Sequence, residues 1–165
     1  MSPRSKHRNN VIPESQSEAL ASRESRISKA LTRILVFGTF DMIHPGHQNF
    51  FKQARSLAKN PKLIVSVARD KNVERIKGHA PRKTEQQRLA QVGRAPEVDR
   101  AVLGGVRQHL PHIIRLKPDI IALGYDQRSY VAGLSRDLAA AGLTTKVVRL
   151  KAYQPDKYKT SLIRK

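Results

Sequence analysis

Short apolar runs alternate with amphipathic stretches along most of the chain. Five apolar runs predict β-strands, at Arg33–Phe37, Lys62–Ala68, Arg100–Leu103, Asp119–Leu123 and Thr145–Leu150. Helical spacing predicts helices at Pro45–Lys59, Asp70–Ile76, Thr84–Val92, Gly105–Leu116 and Ser129–Ala141, and a last short one at Lys159–Lys165. Strands that alternate with helices form parallel sheets covered on both faces. The pattern therefore predicts an α/β fold with a doubly wound, Rossmann-like sheet of about five parallel strands.

Two helix boundaries carry local signals. Thr84 stands at an N-cap position and Gln87 follows three residues later, which is a capping-box pattern. Gly142 is predicted to end the preceding helix, since glycine adopts the left-handed backbone at a helix C-terminus without strain. The G-x-G-x-x-G sequence of dinucleotide-binding proteins is absent, which argues against a nicotinamide- or flavin-dependent dehydrogenase.

Residues 1–32 differ in composition from the rest of the chain. They are rich in Ser, Arg, Asn and Glu, and the first dozen are predicted to be disordered. Leu20, Ile27 and Leu31 recur near helical spacing, which predicts a weakly amphipathic helix before the first strand. Acidic residues here argue against a cleaved targeting segment. The sequence predicts a basic N-terminal extension, residues 1–32, followed by one domain, residues 33–165.

The composition excludes several kinds of protein. The chain has 165 residues and no cysteine, so it has no disulfide framework, thiolate zinc site or cysteine nucleophile. No apolar run approaches the length needed to cross a bilayer. These features favour a cytoplasmic protein with one substantial core.

The chain is strongly basic, with 32 Lys and Arg against 13 Asp and Glu and a net charge of +19. Residues 1–33 hold seven basic and three acidic residues, which leaves 25 and ten for residues 34–165. Such a charge favours anionic partners, namely nucleotides, phosphate esters, nucleic acid and anionic membranes. Non-specific nucleic-acid affinity is therefore one prediction, and general adaptation to a cell rich in basic proteins is the alternative.

The most informative segment, Gly-Thr-Phe-Asp-Met-Ile-His-Pro-Gly-His, runs from Gly38 to His47 between the first predicted strand and helix. Free backbone N–H groups and the helix dipole favour phosphates at such a turn. Pro45 suits the first helical turn, and Gly46 lets a phosphate approach the backbone. His44 and His47 are predicted to lie on one face of that turn, with ring nitrogens directed at the same anion. A metal-ligand pair or a chance pair on the surface is the alternative interpretation.

Gly-Thr-Phe-Asp followed by His-x-Gly-His resembles the signature of the cytidylyltransferase-like nucleotidyltransferase superfamily. Its members join a nucleoside triphosphate to a phosphorylated acceptor and release pyrophosphate. The resemblance implies that His44 and His47 stabilise the pentavalent α-phosphorus, with Mg²⁺ on the triphosphate and no metal site of protein ligands. It also implies a homodimer.

Further phosphate ligands are predicted around this turn. The backbone amides of Thr39 and Phe40 can hold the triphosphate, and the Thr39 hydroxyl adds a donor. Asp41 has two open interpretations, a hydrogen bond within the turn or a ligand to an acceptor or metal. The resemblance implies that Lys77 bridges donor and acceptor phosphates, and that Arg88, in Glu-Gln-Gln-Arg, binds phosphate or braces the loop. A solvated basic loop is the alternative for both.

Two later segments complete the candidate site. Gly124, after the fourth predicted strand, lets a ring approach the backbone, and Asp126 can accept from a ribose hydroxyl or a base amino group. A simple strand terminator is the alternative. Thr160 and Ser161 resemble the family's last motif, in which Ser and Thr at a helix N-terminus hold the β- and γ-phosphates. The family's Arg-Thr-x-Gly-Ile lead-in is missing here.

Within the superfamily, the sequence at 66–73, 76–78 and 117–127 is most similar to archaeal-type FAD synthase, which transfers AMP from ATP to FMN. That type carries cysteines near its C-terminus, which this chain lacks. A CTP-dependent glycerol-3-phosphate cytidylyltransferase, which shares the spacing of Lys77 and Arg88, is the alternative. A basic nucleic-acid-binding module on a degenerate nucleotidyltransferase fold is another. The charge favours that module, and the scarcity of aromatic residues disfavours it.

Overall fold

A computed structural model describes residues 13–128, 131–159 and 162, and of residues 24–30 it describes the backbone. The chain divides into two compact units between Leu31 and Thr32. The first contains helix α1 (Glu14–Ala30), whose described side chains are exposed. This helix covers the stretch in which helical spacing was predicted. The disorder predicted for the first dozen residues lies outside the described part.

The second unit is built on a five-stranded parallel sheet. Its strands are β1 (Thr32–Gly38), β2 (Pro61–Val67), β3 (Arg100–Leu103), β4 (Ile120–Leu123) and β5 (Lys146–Arg149). The order β3-β2-β1-β4-β5 places β1 at the centre, where Leu35 lies opposite Ile64 on one side and Ile121 on the other. The predicted α/β, doubly wound, Rossmann-like sheet is confirmed, and each strand boundary lies within one residue of its predicted position.

Helices cover both faces of this sheet. They are α2 (Pro45–Arg55), α3 (Asp70–Lys77), α4 (Glu85–Gly93), α5 (Leu110–Leu116) and α6 (Leu134–Ala140). Alternate residues of a strand point to opposite faces. Accordingly, Ile34 packs in the cluster that holds Phe51 of α2, whereas Leu35 packs with Ile113 of α5 and Leu138 of α6. In the described part of the chain, no helix combines the length and apolarity needed to span a bilayer.

The prediction that a helix begins at Gly105 is wrong. Helix α5 begins at Leu110, and Pro111 occupies its first turn, where a missing N–H costs nothing. The residues before it form a loop because Asn72 Nδ2 donates to the Gly105 carbonyl at 2.8 Å and Arg69 Nε donates to the Gly104 carbonyl at 3.1 Å. Those carbonyls are therefore held by side chains and not by a helical turn.

Two other helices are shorter than predicted. Helix α2 ends at Arg55 and not at Lys59, and the Ser56 hydroxyl donates to the Gln53 carbonyl just past its end. Helix α6 begins only after Gly133, whose backbone is left-handed with φ 81°. Its predicted start at Ser129 lies outside the described residues. So does most of the short helix predicted at 159–165.

Both predicted helix signals are confirmed. The Thr84 hydroxyl accepts from the Gln87 N–H at 3.3 Å, and the Gln87 side chain accepts from the Thr84 N–H at 3.0 Å, which is a complete capping box. Gly142 is left-handed with φ 75° after α6. The N–H of Leu143 donates to the Leu138 carbonyl at 3.0 Å, which closes a Schellman motif.

Candidate active site

A cavity of about 420 Å³ opens at the carboxyl edge of the sheet. Every strand contributes to its wall the residues that follow its last position: Thr39–Asp41 after β1, Ala68 after β2, Gly104 and Gly105 after β3, Gly124–Arg128 after β4, and Lys151 and Tyr153 after β5. Ligands of open parallel sheets bind at this edge. The cavity brings together the predicted residues His44, His47, Lys77 and Asp126.

Close packing of aromatic rings shapes the turn after β1. Phe40 adopts φ 52°, and its ring is buried against Phe51 of α2 at a centroid distance of 5.4 Å. A Cβ on Gly38 would lie 2.5 Å from the Phe40 ring, so only glycine leaves room for it. The buried ring anchors the turn to α2 and fixes where that helix begins. Gly38, Thr39 and Phe40 all line the cavity.

The two histidines lie at the start of α2 with their rings stacked at a centroid distance of 3.8 Å. His44 is the N-cap and His47 the third helical residue, and Pro45 between them does not line the cavity. A Cβ on Gly46 would lie 2.9 Å from the His44 ring and 3.1 Å from Cβ of Tyr158. Glycine is therefore required for this contact between the helix start and the C-terminal segment.

The ring nitrogens of this pair are mostly unpaired. Among the described residues, Nδ1 and Nε2 of His44 and Nδ1 of His47 are buried without a hydrogen-bond partner. Burial lowers the pKa of His44. Burial, followed by the charges of His44 and Lys77, lowers the pKa of His47 to about 3, against a hydrogen bond to the Met42 backbone. Both rings are neutral at pH 7, so each carries one N–H: that of His44 lacks a partner among the described residues, whereas that of His47 is directed at the Met42 backbone.

Asp41 fixes the turn from behind. Its side chain is 2% exposed, and its two carboxylate oxygens accept the backbone N–H groups of Arg82 and Lys83, each at 2.9 Å. These contacts correspond to the first of its two interpretations, the hydrogen-bonded turn. They tie the turn after β1 to the loop before α4.

Arg88 is fully buried and does not line the cavity. Its guanidinium donates to the carbonyls of Lys83 (3.1 Å), Thr39 (2.7 Å) and Ala68 (2.8 Å) and to the carboxylate of Asp70 (2.6 Å). The structure thus places it as a brace behind the turn after β1. It joins the residues that follow β1 and β2 to the loop before α4.

Glu85 of the same Glu-x-x-Arg sequence extends this brace. Its carboxylate accepts from the Asp70 N–H at 3.0 Å and from Arg69 at 2.9 Å. These two bonds, the first the stronger, lower the pKa of Glu85. The charges of this network are paired with one another, Arg69 with Glu85 and Arg88 with Asp70. None of these four side chains lines the cavity.

Positive charge dominates the cavity wall. Its described lining residues include Lys77, Arg128, Lys151 and Lys159 but only two carboxylates, those of Asp41 and Asp126. Lys77 is the last residue of α3, and the left-handed Gly78 (φ 74°) ends the helix there. Its charge contributes to the lowered pKa of His47, which places the ammonium in the electrostatic field of the histidine pair.

The turn after β4 is held by Gln127, which sequence reasoning missed. Its Oε1 accepts the Gly124 N–H at 2.8 Å, and its Nε2 donates to the Phe37 carbonyl at 3.0 Å. Arg149 donates to the Gly124 carbonyl at 2.8 Å. The exposed carboxylate of Asp126 is left on the cavity wall.

Two tyrosines after β5 were also missed. Tyr153 and Tyr158 stack at a centroid distance of 6.0 Å with planes 6° apart, and Tyr158 in turn stacks on His44 at 6.3 Å. Both line the cavity. No local motif marks them, since their spacing is neither helical nor strand-like.

Thr160 and Ser161, predicted to hold phosphates, lie outside the described residues. Within the described ranges, no three His, Cys, Asp or Glu side chains cluster as metal ligands do.

Comparisons with known proteins place this geometry in context. Residues 35–165 match the family model described as cytidylyltransferase-like. The chain is 44% identical over 133 residues to an FAD synthase of Archaeoglobus profundus, across 79% of this chain and 82% of that protein. It is 46% identical over 122 residues to an FAD synthase of Methanosarcina barkeri, across 73% of this chain and 84% of that protein. A solved structure, the lipopolysaccharide core biosynthesis protein of Thermoplasma volcanium, superimposes with a TM-score of 0.69 at 38% identity, covering 74% of this chain and 98% of that one.

Proposed function

The chain belongs to the cytidylyltransferase-like family, and on that premise we propose that it is an FAD synthase, which transfers AMP from ATP to FMN. The membership confirms the resemblance drawn from the Gly-Thr-Phe-Asp and His-x-Gly-His sequences. Relatives named FAD synthase, 44% and 46% identical to this chain, support the choice of substrates. The observation that carries the proposal is the stacked pair of His44 and His47 in a cavity rich in cations, with three of the four ring nitrogens buried and without a partner among the described residues.

The proposed reaction needs no nucleophilic side chain. A phosphate oxygen of FMN attacks the α-phosphorus of ATP, a new P–O bond forms, and the bond from the α-phosphorus to the bridging oxygen breaks. That oxygen leaves with pyrophosphate, and the two joined phosphates become the diphosphate of FAD. Such transfers depend on in-line placement and on charge stabilisation more than on covalent catalysis.

The histidine pair is suited to stabilising the charge that develops on the α-phosphoryl group. Both rings are neutral at pH 7 because burial lowers the pKa values of His44 and His47. His44 can therefore donate one N–H to the phosphoryl oxygens, and His47 can do so when its N–H turns from the Met42 backbone to the ligand. Preorganised donors in a site of low polarity stabilise a transition state by several kcal/mol, roughly a factor of 10² to 10³ per donor.

Lys77 and the turn amides complete the phosphate site. Lys77 lines the cavity beside the histidine pair, where a mobile ammonium can hold the phosphates of both substrates. The residues of the turn after β1 line the same wall, and Asp41 and Arg88 hold that turn from behind. Asp126, on the cavity wall after β4, can accept from a ribose hydroxyl or from the base.

Mg²⁺ fits this site as a companion of ATP. The carboxylate oxygens of Asp41 already accept backbone N–H groups, and the described residues contain no cluster of three metal-binding side chains. The ion would thus be held chiefly by the phosphate oxygens of ATP. When bound with ATP, Mg²⁺ would neutralise negative charge on the leaving pyrophosphate.

Pyrophosphate release and chromatography of the flavin product test the proposal directly. We expect FAD from ATP with FMN, and no product from ATP with riboflavin, which lacks the attacking phosphate. CTP with glycerol 3-phosphate is the competing pair. A product from that pair alone would favour the cytidylyltransferase alternative. No product from either pair would contradict a phosphate-acceptor transferase of either kind.

The remaining expectations stay predictions. Non-specific nucleic-acid affinity rests on the net charge of +19 and would show as filter binding of RNA that weakens steeply with salt. The homodimer rests on the family resemblance and is measurable by sedimentation. The cytoplasmic location rests on the absence of cysteine and of a long apolar run.

A further inference from the structure

In the described part of the chain, no hydrogen bond holds the ring of His44 in place. Both of its nitrogens are buried and unpaired, and its side chain does not accept a backbone N–H of the first turn of α2, although His44 is the N-cap of that helix. The last torsion of a histidine side chain has broad energy minima, so the packing around the ring decides its orientation. The proposed transfer depends on that orientation, because a donor stabilises the phosphoryl group only when its N–H is directed at it.

The two histidine rings are held in different ways. The ring of His47 lies edge-on to the buried ring of Phe40 at a centroid distance of 5.2 Å, and a hydrogen bond joins it to the Met42 backbone. The ring of His44 instead stacks with His47 at 3.8 Å and with Tyr158 at 6.3 Å, with planes 27° and 15° apart. Offset aromatic pairs have centroid distances of up to about 7 Å. Tyr158 is therefore a ring partner that His44 receives from a distant part of the sequence.

Gly46 leaves the space in which this contact forms. A Cβ at that position would lie 2.9 Å from the His44 ring and 3.1 Å from Cβ of Tyr158. A side chain there would crowd both partners at once. The close approach of Tyr158 to the start of α2 is therefore specific to a glycine at this position.

The segment that carries Tyr158 is fastened to the same helix. Gln53 of α2 exchanges two hydrogen bonds with the backbone of Lys151, each of 3.1 Å. Farther along, Gln154 adopts a left-handed φ of 41°, and its carbonyl accepts the N–H of Tyr158 at 2.9 Å. This turn fixes the backbone that presents the tyrosine to His44.

Tyr158 also has ring partners of its own. Tyr153 stacks on it at a centroid distance of 6.0 Å with planes 6° apart, and Lys157 Nζ lies 5.4 Å from the centroid of its ring. These contacts fix the plane of the Tyr158 ring independently of His44. A ring that is fixed in this way can restrain the imidazole stacked on it.

We propose that Tyr158 is a positioning residue for the transfer, whose ring holds the imidazole of His44 in the orientation that directs a ring nitrogen at the α-phosphoryl group. The inference rests on the proposed function for the role of His44. It gives the C-terminal segment a part in catalysis that acts through His44 and not through contact with either substrate.

Kinetics of FAD formation compare two variants of this position. Tyr158→Leu keeps an apolar side chain but removes the ring, so we expect kcat to fall about tenfold while the KM values for ATP and FMN stay within about twofold. Tyr158→Phe keeps the ring and should retain kcat within about twofold of the wild type. Leu162→Ala is the control in the same segment and should change none of these values, because Leu162 is exposed and does not line the cavity. An unchanged kcat in Tyr158→Leu, or a rise in either KM without a fall in kcat, would overturn the proposal.

A protein that already carries His44→Asn shows whether Tyr158 acts through His44. The effects of two residues that act as one unit are not additive. Adding Tyr158→Leu to His44→Asn should therefore lower kcat further by less than about twofold. A further tenfold loss would overturn the proposal, since Tyr158 would then affect the transfer by another route.

NMR signals of the imidazole ring protons in the ligand-free protein test the positioning without activity. Removing the stacked ring removes its ring-current shift, so Tyr158→Leu should move the signals of His44, which are identified by their loss in His44→Asn. Tyr158→Phe and Leu162→Ala should leave those signals close to their wild-type positions. Unmoved signals in Tyr158→Leu, with a wild type that makes FAD, would overturn the role of Tyr158 and leave the proposed function intact. The expected movement with a wild type that makes no FAD would overturn the proposed function alone.

Discussion

The polar groups behind the phosphate turn differ sharply from those on its cavity side. Arg88 is fully buried and donates to three carbonyls and one carboxylate. His44 and His47 are adjacent to the same turn, yet three of their ring nitrogens are buried and unpaired among the described residues. Because an unpaired buried polar atom costs about 1–3 kcal/mol, such atoms persist where a ligand supplies the partner. The comparison supports a structural role for Arg88 and agrees with the catalytic role proposed for the histidines.

Arg88→Ala should have the largest effect, and on stability. It leaves three carbonyls and the Asp70 carboxylate without their donor, so we expect the free energy of unfolding to fall by about 3–5 kcal/mol. Urea unfolding measures this loss. Arg107→Ala, in an exposed loop, is the control and should change stability by less than about 0.5 kcal/mol. An Arg88→Ala protein of normal stability that had lost only ATP affinity would show that Arg88 binds the nucleotide and does not stabilise the fold.

Gly46→Ala tests the cavity side of the turn. The added Cβ would lie 2.9 Å from the His44 ring and must displace it or Tyr158, so we expect kcat/KM for FAD formation to fall about 10²-fold. Gly93→Ala at the end of α4 is the matched control, because its Cβ would meet only Ala101 Cβ at 3.9 Å. Equal activity in the two variants would show that the position of the His44 ring does not matter.

The pH dependence of stability should report the buried imidazole of His47. Its pKa is lowered to about 3 in the folded protein against 6.5 when unfolded, so only the unfolded chain gains this proton between those values. Stability should therefore fall as the pH falls, by about 2 kcal/mol from pH 7 to pH 5. Urea unfolding at both pH values should show a smaller loss in His47→Gln. The same loss in both proteins would mean that another group is responsible.

Asp126→Asn should have the smallest effect. An exposed carboxylate that accepts from a ribose or base contributes about 1 kcal/mol, so we expect the KM for ATP to rise about three- to fivefold and the KM for FMN to stay constant. Asp137→Asn on α6 is the control, since Asp137 does not line the cavity. A rise in the KM for FMN alone would show that Asp126 contacts the acceptor and not ATP.

The fold was predictable because its signals are local. Buried parallel strands are continuous apolar runs, and all five were located within one residue. The start of α5 was not, because Gly105 precedes an amphipathic stretch that looks helical. Only the tertiary contacts from Asn72 and Arg69 show that the segment is a loop. Gly-Gly after a predicted strand was the signal that could have revealed it.

The site was predictable where a motif carries it. The turn from Gly38 to His47 stands out in the sequence, and the structure places its histidines together in the cavity. The sequence offered two roles for Arg88, phosphate ligand or brace of the loop, and its complete burial corresponds to the second. Tyr153 and Tyr158 line the cavity, but no helical or strand periodicity in the sequence marks them.

The double variant His44→Asn, His47→Asn tests the central claim most directly when its rate of FAD formation and its free energy of unfolding are measured side by side at pH 7. The account predicts that the rate falls at least 10³-fold while the free energy of unfolding changes by less than about 2 kcal/mol. A rate within tenfold of the wild type in a folded protein would contradict it, because the unpaired ring nitrogens would then have no part in the transfer.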